Sequence, residues 1–202
     1  MAESQSSFYS ILFRQKYIKR WGLMNSVTPE NLCEHSAETA ILAHALAVIG
    51  NTYFGKDYDC GRTAELALFH DSAEVYTGDL PTPIKYYSPE MRKSYAKIES
   101  NALNALIEKL PPEMRTAYSE TLFNTKESDA ELWILVKAAD KLAAHIKALT
   151  EVRAGNGEFI QAQRTTREAM DKMDCPELMY FREHFLDAFG LTLDEMQMNY
   201  TS

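Results

Sequence analysis

From residue 8 onward, apolar side chains recur every three to four positions, and proline, glycine and short polar runs interrupt the pattern. Phe8–Tyr17 carries this helical spacing after a short polar opening. Leu32–Ile49 is predicted as a helix, with Thr28-Pro29-Glu30 as its start signal and Gly50-Asn51 as its stop. Asp59–His70 reads as a shorter Ala/Leu-rich helix. Thr77–Pro83 is predicted to be non-helical, because Pro81 and Pro83 remove donors and restrict the residues before them. Ser88 has the chemistry of an N-cap, with Pro89 at the first position of a helix reaching Leu110. Pro111-Pro112 breaks the chain before a helix to Phe123. Asp129–Arg153 follows and ends at Gly155-Asn156-Gly157; Glu158–Lys172 and Pro176–Phe189 complete the set. No stretch alternates with the period of a strand, and there is no repeat or low-complexity linker. The pattern predicts an all-α, single-domain chain spanning residues 1–202.

Composition narrows the partners. The length suits one domain or at most two, with a sizeable core. A formal net charge of −8 disfavours a nucleic-acid polymer, yet one metal ion and one arginine can reverse the sign locally for a nucleotide. Cys33, Cys60 and Cys175 are odd in number and lack CxxC spacing, as expected of reduced, mostly packed thiols in a cytoplasmic protein. The opening MAESQSS is unlike a secretory leader, and no apolar run approaches membrane-spanning length, so no membrane partner is expected.

Polar residues at core positions point to the chemistry. His35, Leu42 and Ile49 lie seven apart and share one helical stripe, so His35 points inward; His44, nine residues on, faces away. Taken alone, an inward histidine is more often a hydrogen-bonded core residue than a ligand. Asp140 is framed by Leu132, Val136, Leu142 and Ala143, where an isolated carboxylate is costly. It needs a metal, hydrogen-bond donors, or a salt bridge from Lys137 or Lys141. The pair His70-Asp71 closes the apolar run Leu66–Phe69, and at a helix end both side chains can turn toward one ion. Two imidazoles and two carboxylates on three helical segments suit a divalent transition ion with room left for water.

The order His35, His70-Asp71, Asp140 resembles the H…HD…D pattern of the HD-domain metal-dependent phosphohydrolases. The segments KRWGLM (19–24), ENLCEHS (30–36), HDSAEVYTGDLPTPIKY (70–86), VKAADKLAAHIKAL (136–149) and AGNGEF (154–159) look like the YfbR-type 5′-deoxynucleotidases, in the same order over nearly the whole chain. The resemblance implies an HD-domain helical bundle holding one divalent metal (Co, Mn, Fe or Zn) on His35, His70, Asp71 and Asp140. It implies hydrolysis of deoxyribonucleoside 5′-monophosphates by attack of a metal-bound water, with no protein nucleophile. Glu74 and Asp79 are the acid/base candidates, with roles that nothing in the sequence separates. Arg20 matches the scissile phosphate, and Trp21 can wall off the space of a 2′-hydroxyl. Asp79, Leu80, Pro81 and Thr82 line the substrate pocket, with His35, Asp71 and Asp140 also facing the substrate. Homodimerisation is likewise expected only from the resemblance.

Two other enzymes would use the same metal set, a dNTP triphosphohydrolase and a phosphodiesterase. A triphosphohydrolase should offer several basic residues to the extra phosphates, whereas the site here is expected to contribute mainly Arg20, with Lys19 or Lys85 as the further candidates. A non-catalytic nucleotide sensor would be expected to have lost a ligand or Glu74, and none is lost. His145 and His184 are expected to be structural; for Lys85, Tyr86 and Tyr87 the sequence decides nothing.

Overall fold

The computed structural model describes residues 5–85 and 87–197, without the side chains of residues 82 and 83, so Tyr86 and the Thr82 side chain lie outside the described residues. The chain runs α1 (Phe8–Leu12), a 3-10 turn to Tyr17, α2 (Leu32–Tyr53), α3 (Cys60–Phe69), α4 (Glu74–Thr77) and α5 (Thr82–Lys85). It continues through α6 (Pro89–Ile107), α7 (Pro112–Leu122), α8 (Ala130–Arg153), α9 (Ile160–Asp171), α10 (Pro176–His184) and α11 (Leu193–Gln197). Among the described residues the only strand-like pairing is one antiparallel bridge, Lys19 with Asn31.

The centre is a pack of α2, α3 and α8. Leu46, Leu66 and Leu142 are fully buried there, and Ala43, Ala47, Ala67, Ala138 and Ala139 fill the spaces between them. Removing such a leucine side chain from water contributes about 1.5–3 kcal/mol, and the small residues let the helix axes approach. Leu178 and Phe181 of α10 cover one side. A second cluster, Phe8, Leu12, Leu106, Ile107, Leu110 and Leu122, binds α1, α6 and α7 together.

Several boundaries depart from the sequence reading for local reasons. The cap of α2 is Asn31: its side chain accepts from the Cys33 and Glu34 amides (3.0 and 3.1 Å), and the Glu34 carboxylate takes the Asn31 amide in return. Gly50-Asn51 does not stop α2, which runs on to Tyr53. A Cβ at Gly50 would lie 2.5 Å from the Tyr58 ring, so this glycine serves a close approach. Asn51 then fixes the connection to α3 by bonding both the amide and the carbonyl of Tyr58 (2.7 and 2.9 Å). The stretch Thr77–Pro83, expected to be non-helical, contains the end of α4 and the start of α5. Proline is tolerated in a helix's first turn, where its missing N–H has no partner to lose. Ser88 does cap α6, by accepting from the Met91 amide at 3.1 Å. The final predicted helix ends early, at His184, and gives way to a 3-10 turn over Leu186–Gly190. All three cysteines are free, but Cys33 is exposed rather than packed.

Candidate metal centre

The first turn of α2 carries His35, the end of α3 carries His70-Asp71, and the middle of α8 carries Asp140. Because α2, α3 and α8 pack directly on one another, the three segments converge. Ligand atoms of His35, His70 and Asp71 all lie within 4.8 Å of one another. Asp140 joins them, with Oδ1 3.2 Å from His35 Nε2 and 3.9 Å from His70 Nε2. The Asp71 Oδ2 atom is 3.0 Å from His70 Nε2 and 3.8 Å from His35 Nε2. His35 is fully buried, in line with Leu42 and Ile49 below it, while His44 is exposed. The salt bridge foreseen for Asp140 is also present, but on its other oxygen: Lys141 Nζ lies 2.9 Å from Oδ2.

The donor chemistry fits a divalent cation. His70 Nδ1 sits 2.6 Å from the Ala67 carbonyl, which can only accept, so Nδ1 carries the proton and Nε2 faces the carboxylates. That Nε2 is buried and makes no hydrogen bond. Burial pushes the His70 pKa down, yet Asp71 and Asp140 raise it to about 9. Burial pushes the Asp140 carboxyl up, but His35, Lys141 and His70 hold it well below its ordinary value; Asp71 falls to about 2 against its own burial, chiefly through His70. Two ionised carboxylates are thus gathered around imidazole nitrogens that a metal would take in place of protons.

Four further residues frame this set. The Arg20 guanidinium lies 3.7 Å from Asp71 through Nη1 and 3.2 Å from Glu30 through Nε. The Trp21 indole donates to Glu30 Oε2 at 2.9 Å, and its ring packs on Phe159 at 5.3 Å between centroids. Glu74 is 5% exposed and its Oε2 has no hydrogen-bond partner. Burial first, then Asp71 and Asp79, push its pKa up to about 9, against the pull of Arg20 and Lys85. Asp79 acts electrostatically on both Arg20 and Glu74. Leu80 and Pro81 are half-buried in the loop between α4 and α5.

The segment carrying Arg20 and Trp21 is tied down from below. Glu151, near the end of α8, accepts from the Val27 and Thr28 amides (2.8 and 2.9 Å), from Asn156 Nδ2 (2.8 Å) and from Lys147 Nζ (2.5 Å). Asn156 also donates to the Asn25 carbonyl at 2.8 Å, and Gly155 turns the chain at φ +85°. The AGNGEF block therefore supports the segment across from it and supplies Phe159 to the Trp21 ring. His145 is structural as expected, bonded to Thr166 at 2.9 Å. It floors a cleft of about 720 Å³ beside α9 and α10 whose lining includes none of the residues above. His184 is exposed and packs at a tilt against Tyr180. Two residues escaped the sequence reading. Glu30 served there only as a helix-start signal, and Glu151 fell on a helix carrying several charged residues, with nothing to distinguish it from a surface acid.

An all-α bundle presenting H, HD and D from three central helices defines an HD-domain metal-dependent phosphohydrolase. Solved structures agree. An HD-domain phosphohydrolase of Listeria innocua superposes with a TM-score of 0.78 at 20% identity, covering 96% of this chain and 94% of that one. The cyanophage S-2L HD phosphohydrolase DatZ, bound to dA and one catalytic Zn²⁺ ion, gives 0.68 at 25% identity, covering 92% and 99%. The model of the 5′-deoxynucleotidase YfbR-like family matches residues 7–189, and the chain belongs to that family. Among its relatives, 5′-deoxynucleotidases of Vibrio parahaemolyticus and Vibrio cholerae are 44% and 45% identical, each aligned over 95% of this chain and 98% of their own.

Proposed function

We propose that this protein hydrolyses deoxyribonucleoside 5′-monophosphates to deoxynucleoside and phosphate, using one divalent metal held by His35, His70, Asp71 and Asp140. The observation that carries it is the set of buried imidazole nitrogens and carboxylates beside a nearly buried arginine. Family membership and the relatives' named activity support the choice of substrate. When bound, such an ion lowers the pKa of a coordinated water and polarises a phosphoryl oxygen.

The chain's own groups supply the rest. Arg20, fixed at Nε, presents its Nη groups toward the centre, where a planar guanidinium suits a phosphate. Burial, with Asp71 and Asp79 beside it, raises the Glu74 pKa and favours the protonated acid. Glu74 gives its proton to the departing 5′-oxygen as the P–O bond to that oxygen breaks, and regains one from the attacking water. Asp79, on the loop with Leu80 and Pro81 just before Thr82 opens α5, bonds the sugar. Trp21 closes the space that a 2′-hydroxyl would need, which excludes ribonucleotides by contact rather than by reward. Zn²⁺ in DatZ supports a transition ion; we propose Mn²⁺ or Co²⁺ as activators of the isolated enzyme. We further propose a cytoplasmic homodimer, for which exposed Ile41 and Val48, seven apart on the outer face of α2, offer an apolar stripe. No helix among the described residues is long and apolar enough to cross a membrane.

Phosphate release from dAMP, AMP and dATP by metal-stripped protein resupplied with Co²⁺ or Mn²⁺ tests the proposal. Release from dAMP with little from AMP or dATP is expected. Preferential turnover of dATP would move the activity to a triphosphohydrolase, and silence on all three with metal bound would refute a deoxynucleotidase.

A further inference from the structure

The segment before α2 doubles back on itself. The Arg20 amide donates to the Glu30 carbonyl at 3.0 Å and the Leu32 amide to the Ile18 carbonyl at 2.9 Å, so residues 18–20 lie antiparallel to residues 30–32. Trp21, the next residue, sits at φ +56°, a backbone region that a bulky side chain enters only when its surroundings hold it there. Glu30 faces both strands of this loop and the first turn of α2, and it is only 9% exposed.

Each oxygen of that carboxylate is committed. Oε2 accepts the Trp21 indole N–H at 2.9 Å. Oε1 lies 3.2 Å from Arg20 Nε and 3.3 Å from His35 Nδ1. Both nitrogens are buried and approach Oε1 as ion-pair contacts, and neither makes a hydrogen bond to any other group among the described residues. Glu30 approaches His35 from the Nδ1 side, away from the Nε2 that looks at Asp71 and Asp140.

We infer that Glu30 is a positioning residue that orients a metal ligand, the phosphate-binding arginine and the sugar-excluding tryptophan at once. A carboxylate only accepts, so the indole N–H donates to it and the protons on Arg20 Nε and His35 Nδ1 are drawn toward it. For His35 this selects the Nδ1–H tautomer and leaves the Nε2 lone pair to the metal. For Arg20 it pins Nε and leaves the Nη groups to the phosphate. For Trp21 it fixes the plane of the indole over the sugar site. Metal affinity, phosphate binding and deoxy selectivity are thereby coupled through a residue that touches no reacting atom. A glutamine of the same shape cannot replace it, because one amide oxygen cannot serve acceptor positions on both sides.

The inference rests on the metal-phosphohydrolase reading, and its test separates the two. Co²⁺ affinity is measured by the metal's visible absorption on stripped wild type, Glu30→Gln, Glu30→Asp and Trp21→Phe, alongside KM and kcat for dAMP and the dAMP/AMP ratio. Glu30→Gln should weaken Co²⁺ binding about 10- to 100-fold, raise KM for dAMP and lower the dAMP/AMP ratio, with an unchanged helical spectrum. Trp21→Phe should lower the ratio while leaving Co²⁺ affinity within about twofold, since it removes one N–H and spares His35. Should Glu30→Gln not fold, Glu30→Asp decides, because the same charge drawn back by one methylene should still weaken Co²⁺ binding. Wild-type Co²⁺ affinity in a folded Glu30 variant would overturn the inference. A wild type inactive on dAMP, whose Co²⁺ affinity nonetheless falls in Glu30→Gln, would refute the substrate and keep Glu30 in its role.

Discussion

Two carboxylates of α8, Asp140 and Glu151, stand about three turns apart, and their surroundings are opposite in kind. Glu151 is 2% exposed, and four donors of this chain, two amides, an ammonium and a side-chain amide, occupy its oxygens. Asp140 has Lys141 on one oxygen and two imidazole nitrogens near the other, one of them without any hydrogen bond. A buried charge whose partners are complete is structural cement. A half-buried carboxylate whose second oxygen shares its space with two imidazole nitrogens has the donor chemistry of a cation site. The two differ in exposure as well as in partners: the Glu151 side chain is 1% exposed and that of Asp140 25%.

The comparison can be broken most severely at Asp140. Asp140→Ala should abolish metal binding and cut dAMP turnover by at least about 10³-fold, some 4 kcal/mol of barrier, while circular dichroism and the thermal midpoint change little. Asp71→Ala should behave alike. Retained activity in either would remove the metal centre.

At Glu151 the effect should fall on stability instead. Its pKa lies at about 2: burial raises it, but Lys147, Asn156 and the Thr28 and Val27 amides lower it further. A depressed folded-state pKa contributes stability that is present above the unfolded value of 4.5 and lost as pH falls toward 2. Glu151→Gln should therefore cost about 2–3 kcal/mol at neutral pH in a denaturant titration, with a flatter acid limb than wild type and a normal metal content. An unchanged acid limb would show that the cluster contributes nothing.

Arg20→Ala sharpens the site side. It should raise KM for dAMP by about 10- to 100-fold, the loss of a charge-assisted hydrogen bond of roughly 1.5–3 kcal/mol, with little change in metal stoichiometry. The smallest expected effect is at Trp21. Trp21→Ala should narrow the dAMP/AMP ratio by about tenfold, the order of one steric discrimination, and an unchanged ratio would mean the sugar is read elsewhere.

What could be read before any coordinates follows the same division. The helices were legible because their apolar faces are periodic, and His35 was legible because it interrupts such a face in register with Leu42 and Ile49. Asp140 stood out for the same reason. Gly50 and the Pro81–Pro83 stretch were misjudged, because their roles depend on the Tyr58 ring and on where a first helical turn begins. Glu30 was opaque as an orienting group. It lies outside any helix, and its three partners come from residues 20, 21 and 35, which only the folded loop brings together.

Metal stoichiometry tests the central claim most directly. Stripped wild type, Asp140→Ala and Glu151→Gln would each be titrated with Co²⁺ or Mn²⁺ by calorimetry. We expect one ion per chain in wild type and in Glu151→Gln, and none in Asp140→Ala. No binding by wild type, or one ion still held by Asp140→Ala, would contradict it.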